Sequence, residues 1–373
     1  MKKKLLIFPF NRESEPLVHC GKFLADYEME ALVSFSGSGL VGRTVQTEER
    51  TYNITDNFSE SLLHCDAVLI SDVWHETSFS ETVLPKIEEA IMGGKEVICS
   101  NAFFSLCEES LKHYKNVGRL TVLSEPGPNI DAVMTSKITS PVLYVVGVAQ
   151  NTGKFETELL LKNEFEKAGY KVSLIASRPE AGMFGSAAFP GYMLDGSIPE
   201  SDRIHSFSSM VKQVEIRERP DLIIVGIPGA IFPYSYKYAE DYGILGMMIN
   251  YAVPPDAAVL CALCPVEEDS SMYFVGTDRL FKHHFGVDVA YHFVSRYTFD
   301  FSSVETQKKY EYLTLPQKFV QDQLEKVNPN TCSAAGDLMG IKLAMQNIIS
   351  SLSGTSMKDN NNNQGGLNGC TPS

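Results

Sequence analysis

Short apolar runs alternate with helical periodicity along most of this chain. In the first 125 residues, Leu5–Phe8, Glu30–Phe35, Ala67–Ser71, Glu96–Ser100 and Leu120–Leu123 read as strands. Residues 81–92 and 103–114 between them carry helical patterns, and Gly93-Gly94 closes the first as a helix C-terminus does. Further on, Val142–Val146, Val172–Ala176, Asp221–Gly226 and Ala257–Ala262 read as core strands, and 318–326 and 338–352 as helices. Strands separated by helices predict parallel sheets, hence an α/β protein. The expected organisation is a Rossmann- or flavodoxin-like domain over 1–125 and a proline-rich, aperiodic linker over 126–141. A P-loop-like α/β domain over 142–315 and C-terminal helices over 316–355 follow. The polar, asparagine- and glycine-rich tail over 356–373, which holds Cys370, is expected to be disordered.

The strongest chemical signal lies at the start of the second domain. The apolar run ending at Val146 leads into GVAQNTGK, a loop bounded by Gly147 and Gly153 and closed by Lys154. An amphipathic helix with Leu159, Leu160 and Phe165 follows, and then the run Val172–Ala176. Strand, glycine loop, lysine, helix and strand form a βαβ unit that cradles phosphate. Loop and helix-start N–H groups point at the anion, the macrodipole favours it, and the lysine adds a point charge. The candidate phosphate-binding residues are Gly147, Gln150, Asn151, Thr152, Gly153 and Lys154, and the ligand class is ATP or GTP.

Two departures bear on Mg²⁺. The usual loop places a hydroxyl directly after the lysine to hold the metal, and Phe155 stands there. Thr152 and Thr157 are the nearest hydroxyls, and Thr157 is the substitute candidate for a metal or phosphate contact. An acid is also expected at the end of a neighbouring strand, where Gly226 stands; Asp221, at the strand's other end, reads as a cap or turn residue. Both departures argue against efficient Mg²⁺-dependent hydrolysis.

Other constellations carry less. Gly37, Gly39 and Gly42 fit G-x-G-x-x-G, but RTVQTEERTY after them does not read as a helix, so a surface loop is expected. Cys261 and Cys264 have C-x-x-C spacing within or beside an apolar strand and read as buried small hydrophobes. His283, His284 and His292 lack a neighbouring acid at metal spacing, so no metal site is expected. Asp72, His75 and Glu76 follow a strand and form the best candidate for a second polar site.

Composition narrows the setting. A net charge of −14 without a basic stripe excludes nucleic acid as an expected partner. The N-terminal apolar stretch is too short for a secretion signal core of about 7–15 residues, and nothing approaches the roughly 18 residues of a membrane span. Eight scattered cysteines fit reduced thiols, so a cytoplasmic location is expected.

The loop spacing resembles that of dethiobiotin synthetase-like P-loop proteins. The order of features over 141–265 is similar to a family of P-loop proteins of uncharacterised function. That family's G-K-M-T, A-T-G-Q-T-G and G-Q-G-S-L-x-H-P segments correspond here to Gly153–Thr157, Ala176–Gly182 and Gly226–Phe232-Pro233. The chain to about residue 330, through ALVSFSGSGLVGRT and LPKIEEAIMGGKEVIC, also resembles the accessory "peptide maturation system" proteins of clostridia. That resemblance implies a nucleotide-binding accessory protein in maturation of a ribosomally synthesised, post-translationally modified peptide (RiPP). Its partners would be a radical S-adenosylmethionine maturase and the precursor peptide. The alternatives are an ATP-dependent ligase or kinase of dethiobiotin synthetase-like type, and a nucleotide-free interaction module; the oligomeric state stays open.

Overall fold

The computed structural model describes residues 2–72, 79–129, 137–233, 242–266, 270–300, 311–328 and 330–362. Every run read as a strand forms one. The chain divides into two compact units, Met1–Pro128 with Ile175–Asp195, and Asn129–Leu174 with Gly196–Ser373.

The first sheet holds β1 (Lys3–Phe8), β2 (Tyr27–Val33), β3 (Thr44–Gln46), β4 (Thr51–Thr55), β5 (Ala67–Ile70), β6 (Glu96–Cys99) and β7 (Leu120–Val122). Their order is β3-β4-β2-β1-β5-β6-β7, parallel except for the β3–β4 hairpin. Order reverses at β1, as in a doubly wound sheet. The Gly37–Gly42 loop has its three glycines at φ of 83°, 72° and 82°, and strand β3 follows it. No helix N-terminus is presented there. The helix expected over 103–114 forms as two, Asn101–Leu106 and Glu108–Asn116, and the Ser100 hydroxyl caps the first by accepting from the Phe103 N–H at 2.9 Å.

The second sheet holds β8 (Val142–Gly147), β9 (Val172–Ala176), β10 (Ala187–Ala188), β11 (Leu222–Gly226), β12 (Ala257–Ala262) and β13 (Val289–Val294). A separate antiparallel pair is β14 (Tyr297–Phe299) with β15 (Tyr312–Thr314), and β16 (Cys332–Ala334) closes the seven-stranded sheet. Its order is β10-β9-β11-β8-β12-β13-β16. Every residue of β8, β9, β11 and β12 is buried, as expected of parallel strands covered on both faces. The helix Lys154–Lys167 contacts β8 and β11 and also the helix Leu338–Asn362, so it is buried well beyond one stripe: Phe155, Thr157, Glu158, Leu159, Leu160, Leu161 and Phe165 are all covered. It ends at Gly169, φ 93°, where the Tyr170 N–H reaches back to the Phe165 carbonyl at 3.1 Å.

The region 316–355 contains the helices Gln317–Leu324 and Leu338–Asn362, and it also contributes edge strand β16. Cys-Ser-Ala is too short and too weakly apolar to register as a strand from pattern alone. The last helix runs to Asn362, into the stretch read as tail, and 363–373 with Cys370 lie outside the described residues.

Glu215, on the helix Glu200–Glu218, fixes the chain just before β8. One carboxylate oxygen accepts from Thr139 N–H at 2.7 Å, Ser140 N–H at 2.6 Å and Thr139 Oγ1 at 2.9 Å, while Lys212 Nζ lies 2.5 Å from the other. Burial works to raise its pKa, yet the Lys212 and backbone hydrogen bonds outweigh burial and hold it at about 2, below the ordinary 4.5. A depressed carboxylate contributes stability above pH 4.5 that is lost as pH falls toward 2. The linked stabilisation is on the order of 3 kcal/mol. Chemical denaturation of Glu215→Gln should show that loss at pH 7 and a flatter acid limb between pH 4.5 and 2.

Candidate functional site

The second sheet reverses order at β8, whose C-terminal end lies between β11 and β12. In open α/β sheets, ligands bind beyond the carboxyl ends of the strands at such a point. Two hydrogen bonds moor the base of the loop: Ile231 N–H donates to the Gly147 carbonyl at 2.9 Å, and Val148 N–H donates to the Cys261 carbonyl at 3.0 Å. Gln150 is exposed at the turn, and Asn151 (φ 53°) and Gly153 (φ 80°) take left-handed conformations before the helix begins at Lys154. Among the described residues, the N–H groups of Gln150, Asn151 and Gly153 donate to no acceptor. Unengaged N–H groups next to the positive end of a helix present donors and partial positive charge suited to an anion.

Lys154 lies across this loop. Its Nζ donates to the Ala149 carbonyl at 3.0 Å and to the Gly229 carbonyl at 2.7 Å. Thr152 is buried below, with Oγ1 3.3 Å from the Ala149 carbonyl. Gly147 makes room for both. A β-carbon there would stand 2.5 Å from Thr152 Oγ1 and 2.9 Å from Lys154 Cδ.

The structure thus brings Gly147, Gln150, Asn151, Thr152, Gly153 and Lys154 together, and treats the substitute hydroxyl differently. Thr157 is fully buried; its Oγ1 donates to the Gly153 carbonyl at 3.0 Å and accepts from Cys261 Sγ at 3.7 Å. Phe155, in the place of the usual hydroxyl, is turned into the core at 3% exposure.

One residue here escaped the sequence. Glu158 is fully buried on the helix Lys154–Lys167, and its carboxyl fills the space beside Gly226 at the end of β11. Nothing in the local pattern around Glu158 signals this, because the contact joins residues far apart in the chain.

The remaining candidates fall elsewhere. Cys261 and Cys264 are buried, and burial pushes their thiols to about 12 and about 11, so both stay protonated at neutral pH. His292 meets Asp278 Oδ1 through Nε2 at 2.8 Å, and the His283 and His284 rings touch edge-on. No cluster of three metal-ligating residues occurs among the described residues. Asp221 accepts from Lys171 N–H at 2.8 Å, a turn role. In the first unit, Asp72 accepts from Ser100 Oγ at 2.8 Å. Burial of its carboxyl outweighs that hydrogen bond and raises it to about 6, although the residue as a whole is exposed. His75 and Glu76 lie outside the described residues. Arg178, from the segment matched to A-T-G-Q-T-G, forks the buried Glu180 carboxylate at 2.6 and 3.0 Å.

No family model and no curated protein sequence matches the chain. Among solved structures, the fold is similar to that of a DUF1611 family protein from Anabaena variabilis: TM-score 0.61 at 12% identity, over 94% of this chain and 100% of that one. Cobyrinic acid a,c-diamide synthase from Mycobacterium smegmatis with bound ADP and magnesium aligns over 56% of this chain and 92% of its own at TM-score 0.30 and 10% identity. A plasmid partition protein from Borrelia burgdorferi aligns over 57% and 100% at TM-score 0.34 and 8% identity. Likeness as loose as these last two carries no argument about this chain. No described helix is long and apolar enough to cross a membrane.

Because Gly147 is required by close approach, Gly147→Ala should cost about 1–3 kcal/mol of overpacking. Gly276, where an added β-carbon meets open space in a helix, is the control. Gly276→Ala should be neutral or stabilise by up to about 1 kcal/mol. Denaturant midpoints of both variants check the contrast.

Proposed function

We propose that this protein binds the phosphates of a nucleotide, ATP or GTP, at the loop Gly147–Lys154. The observation that carries the reading is the set of unengaged N–H groups at Gln150, Asn151 and Gly153, with Lys154 across the loop at the reversal point of the sheet. The donor set suits a phosphate: backbone N–H groups and a lysine ammonium are its ordinary partners, and the small Gly147 keeps the base of the cradle open to the lysine stem. Two of the acceptors now holding Lys154 Nζ are carbonyl oxygens, which phosphate oxygens can replace with stronger, charge-assisted bonds.

The setting in RiPP maturation, with a radical S-adenosylmethionine maturase and a precursor peptide as partners, is supported by the sequence resemblance of 31–44 and 84–99 alone. On that reading, the bound nucleotide controls docking of the peptide or its maturase. Genes for both beside this one would favour it. ADP production that depends on a small molecule would favour the ligase or kinase reading.

Thermal unfolding with ATP, GTP and ADP tests the phosphate site. Ligand at about 100 times its dissociation constant should stabilise the wild type by roughly 2.7 kcal/mol. Lys154→Ala should weaken binding at least about tenfold, since a charge-assisted contact is worth on the order of 1.5–3 kcal/mol. Equal shifts in wild type and variant would remove Lys154 from the site. No shift in either would favour the nucleotide-free module.

A further inference from the structure

The end of β11 is where an acid is expected beside a phosphate-bound cation, and Gly226 stands there. Its backbone does not demand glycine, for it is not among the residues at positive φ. Space demands it. A β-carbon on residue 226 would stand 2.2 Å from Glu158 Oε1, 2.3 Å from Cδ and 2.7 Å from Oε2. An aspartate at 226 would hold its own oxygens roughly 2.4 Å from that β-carbon, by ordinary bond lengths. The helix therefore delivers a carboxylate to the volume beside the strand end that an aspartate would enter.

Glu158 stands four residues after Lys154, so the two side chains share one face of the helix. Gly147 makes room under the lysine stem and Gly226 under the carboxylate. Both charges reach Cys261, the register partner of Gly147, where the lysine lowers and the carboxylate raises the thiol pKa. An ammonium and a carboxylate are thus placed together at the ends of β8, β11 and β12. Glu158 is fully buried beside these strand ends.

We infer that Glu158 is the protein's ligand for a divalent cation of the Mg²⁺ class that enters with the phosphates. It takes the place of both the missing strand-end acid and the missing hydroxyl at 155. The inference rests on the phosphate reading above. Such a cation is ordinarily held by one or two carboxylates together with phosphate oxygens and water, so a single protein carboxylate suffices.

Calorimetric titration of the full chain with ADP, in Mg²⁺ and in EDTA, tests this in wild type, Glu158→Gln and the swap Glu158→Ala/Gly226→Asp. In wild type, Mg²⁺ should tighten ADP at least about tenfold, a coupling of ordinary size between two ligands. Glu158→Gln should erase that gain while ADP affinity in EDTA stays within about threefold of wild type; the swap should regain about fivefold or more. A full Mg²⁺ gain in Glu158→Gln overturns the inference. So does ADP binding without any Mg²⁺ gain in wild type, which leaves the phosphate site standing. Absence of ADP binding in wild type overturns the phosphate reading and this inference with it. If the glutamine variant does not fold, the swap decides: no Mg²⁺ gain with aspartate at 226 overturns the assignment.

Discussion

The second unit is organised around one steric constraint: β8 and β11 end in glycine, which leaves room for side chains of the loop and helix that follow β8. Gly147 admits the stem of Lys154 and the hydroxyl of Thr152, and Gly226 admits the carboxyl of Glu158. A methyl group at either position would enter occupied volume. The buried strands β8, β11 and β12 make those ends a fixed platform, since every residue in them is covered. Parallel strands enclosed on both faces cannot shift register without moving a whole apolar set, so the platform holds its geometry.

That arrangement explains why the loop departs from the common phosphate-binding pattern without losing its shape. Phe155 and Thr157 are drawn into the core beneath the helix, leaving the N–H groups of the turn as the principal polar surface. The acid comes from the helix and the strand supplies only the gap. The thiols nearby, Cys261 and Cys264, are buried, and burial keeps them protonated at neutral pH. In the first unit, the raised carboxyl of Asp72 lies just beyond β5, which pairs with β1, the point where that sheet reverses order. Its hydrogen bond to Ser100 joins it to the first residue beyond β6.

Much of this was legible in the chain. Long apolar runs such as Val142–Val146 and Ala257–Ala262 declare buried strands whatever surrounds them, and the loop's residues are contiguous. Short edge elements were not legible. Strands β3 and β4 bury Val45 and Ile54 and otherwise face outward or half outward, so they show too little alternation to count. The helix Glu200–Glu218 covers Phe207, Val211 and Val214 but also buries Arg203, Ser206, Ser208 and Glu215, which blurs its apolar stripe. The pairing of Glu158 with Gly226 was hidden for a different reason. A gap and its filler on different elements leave no local signature, and a glycine at a strand end reads as a missing acid until the neighbouring helix is in place.

The central claim is that unengaged N–H groups between Gln150 and Lys154 receive phosphate. Amide chemical shifts of the uniformly ¹⁵N-labelled protein, followed while ADP is added, test it at the atoms concerned. The account predicts that the largest displacements fall on Gln150, Asn151, Gly153 and Lys154, saturating together with one dissociation constant. Displacements that centre on the first unit, or that leave these amides unmoved while ADP binds, would contradict it.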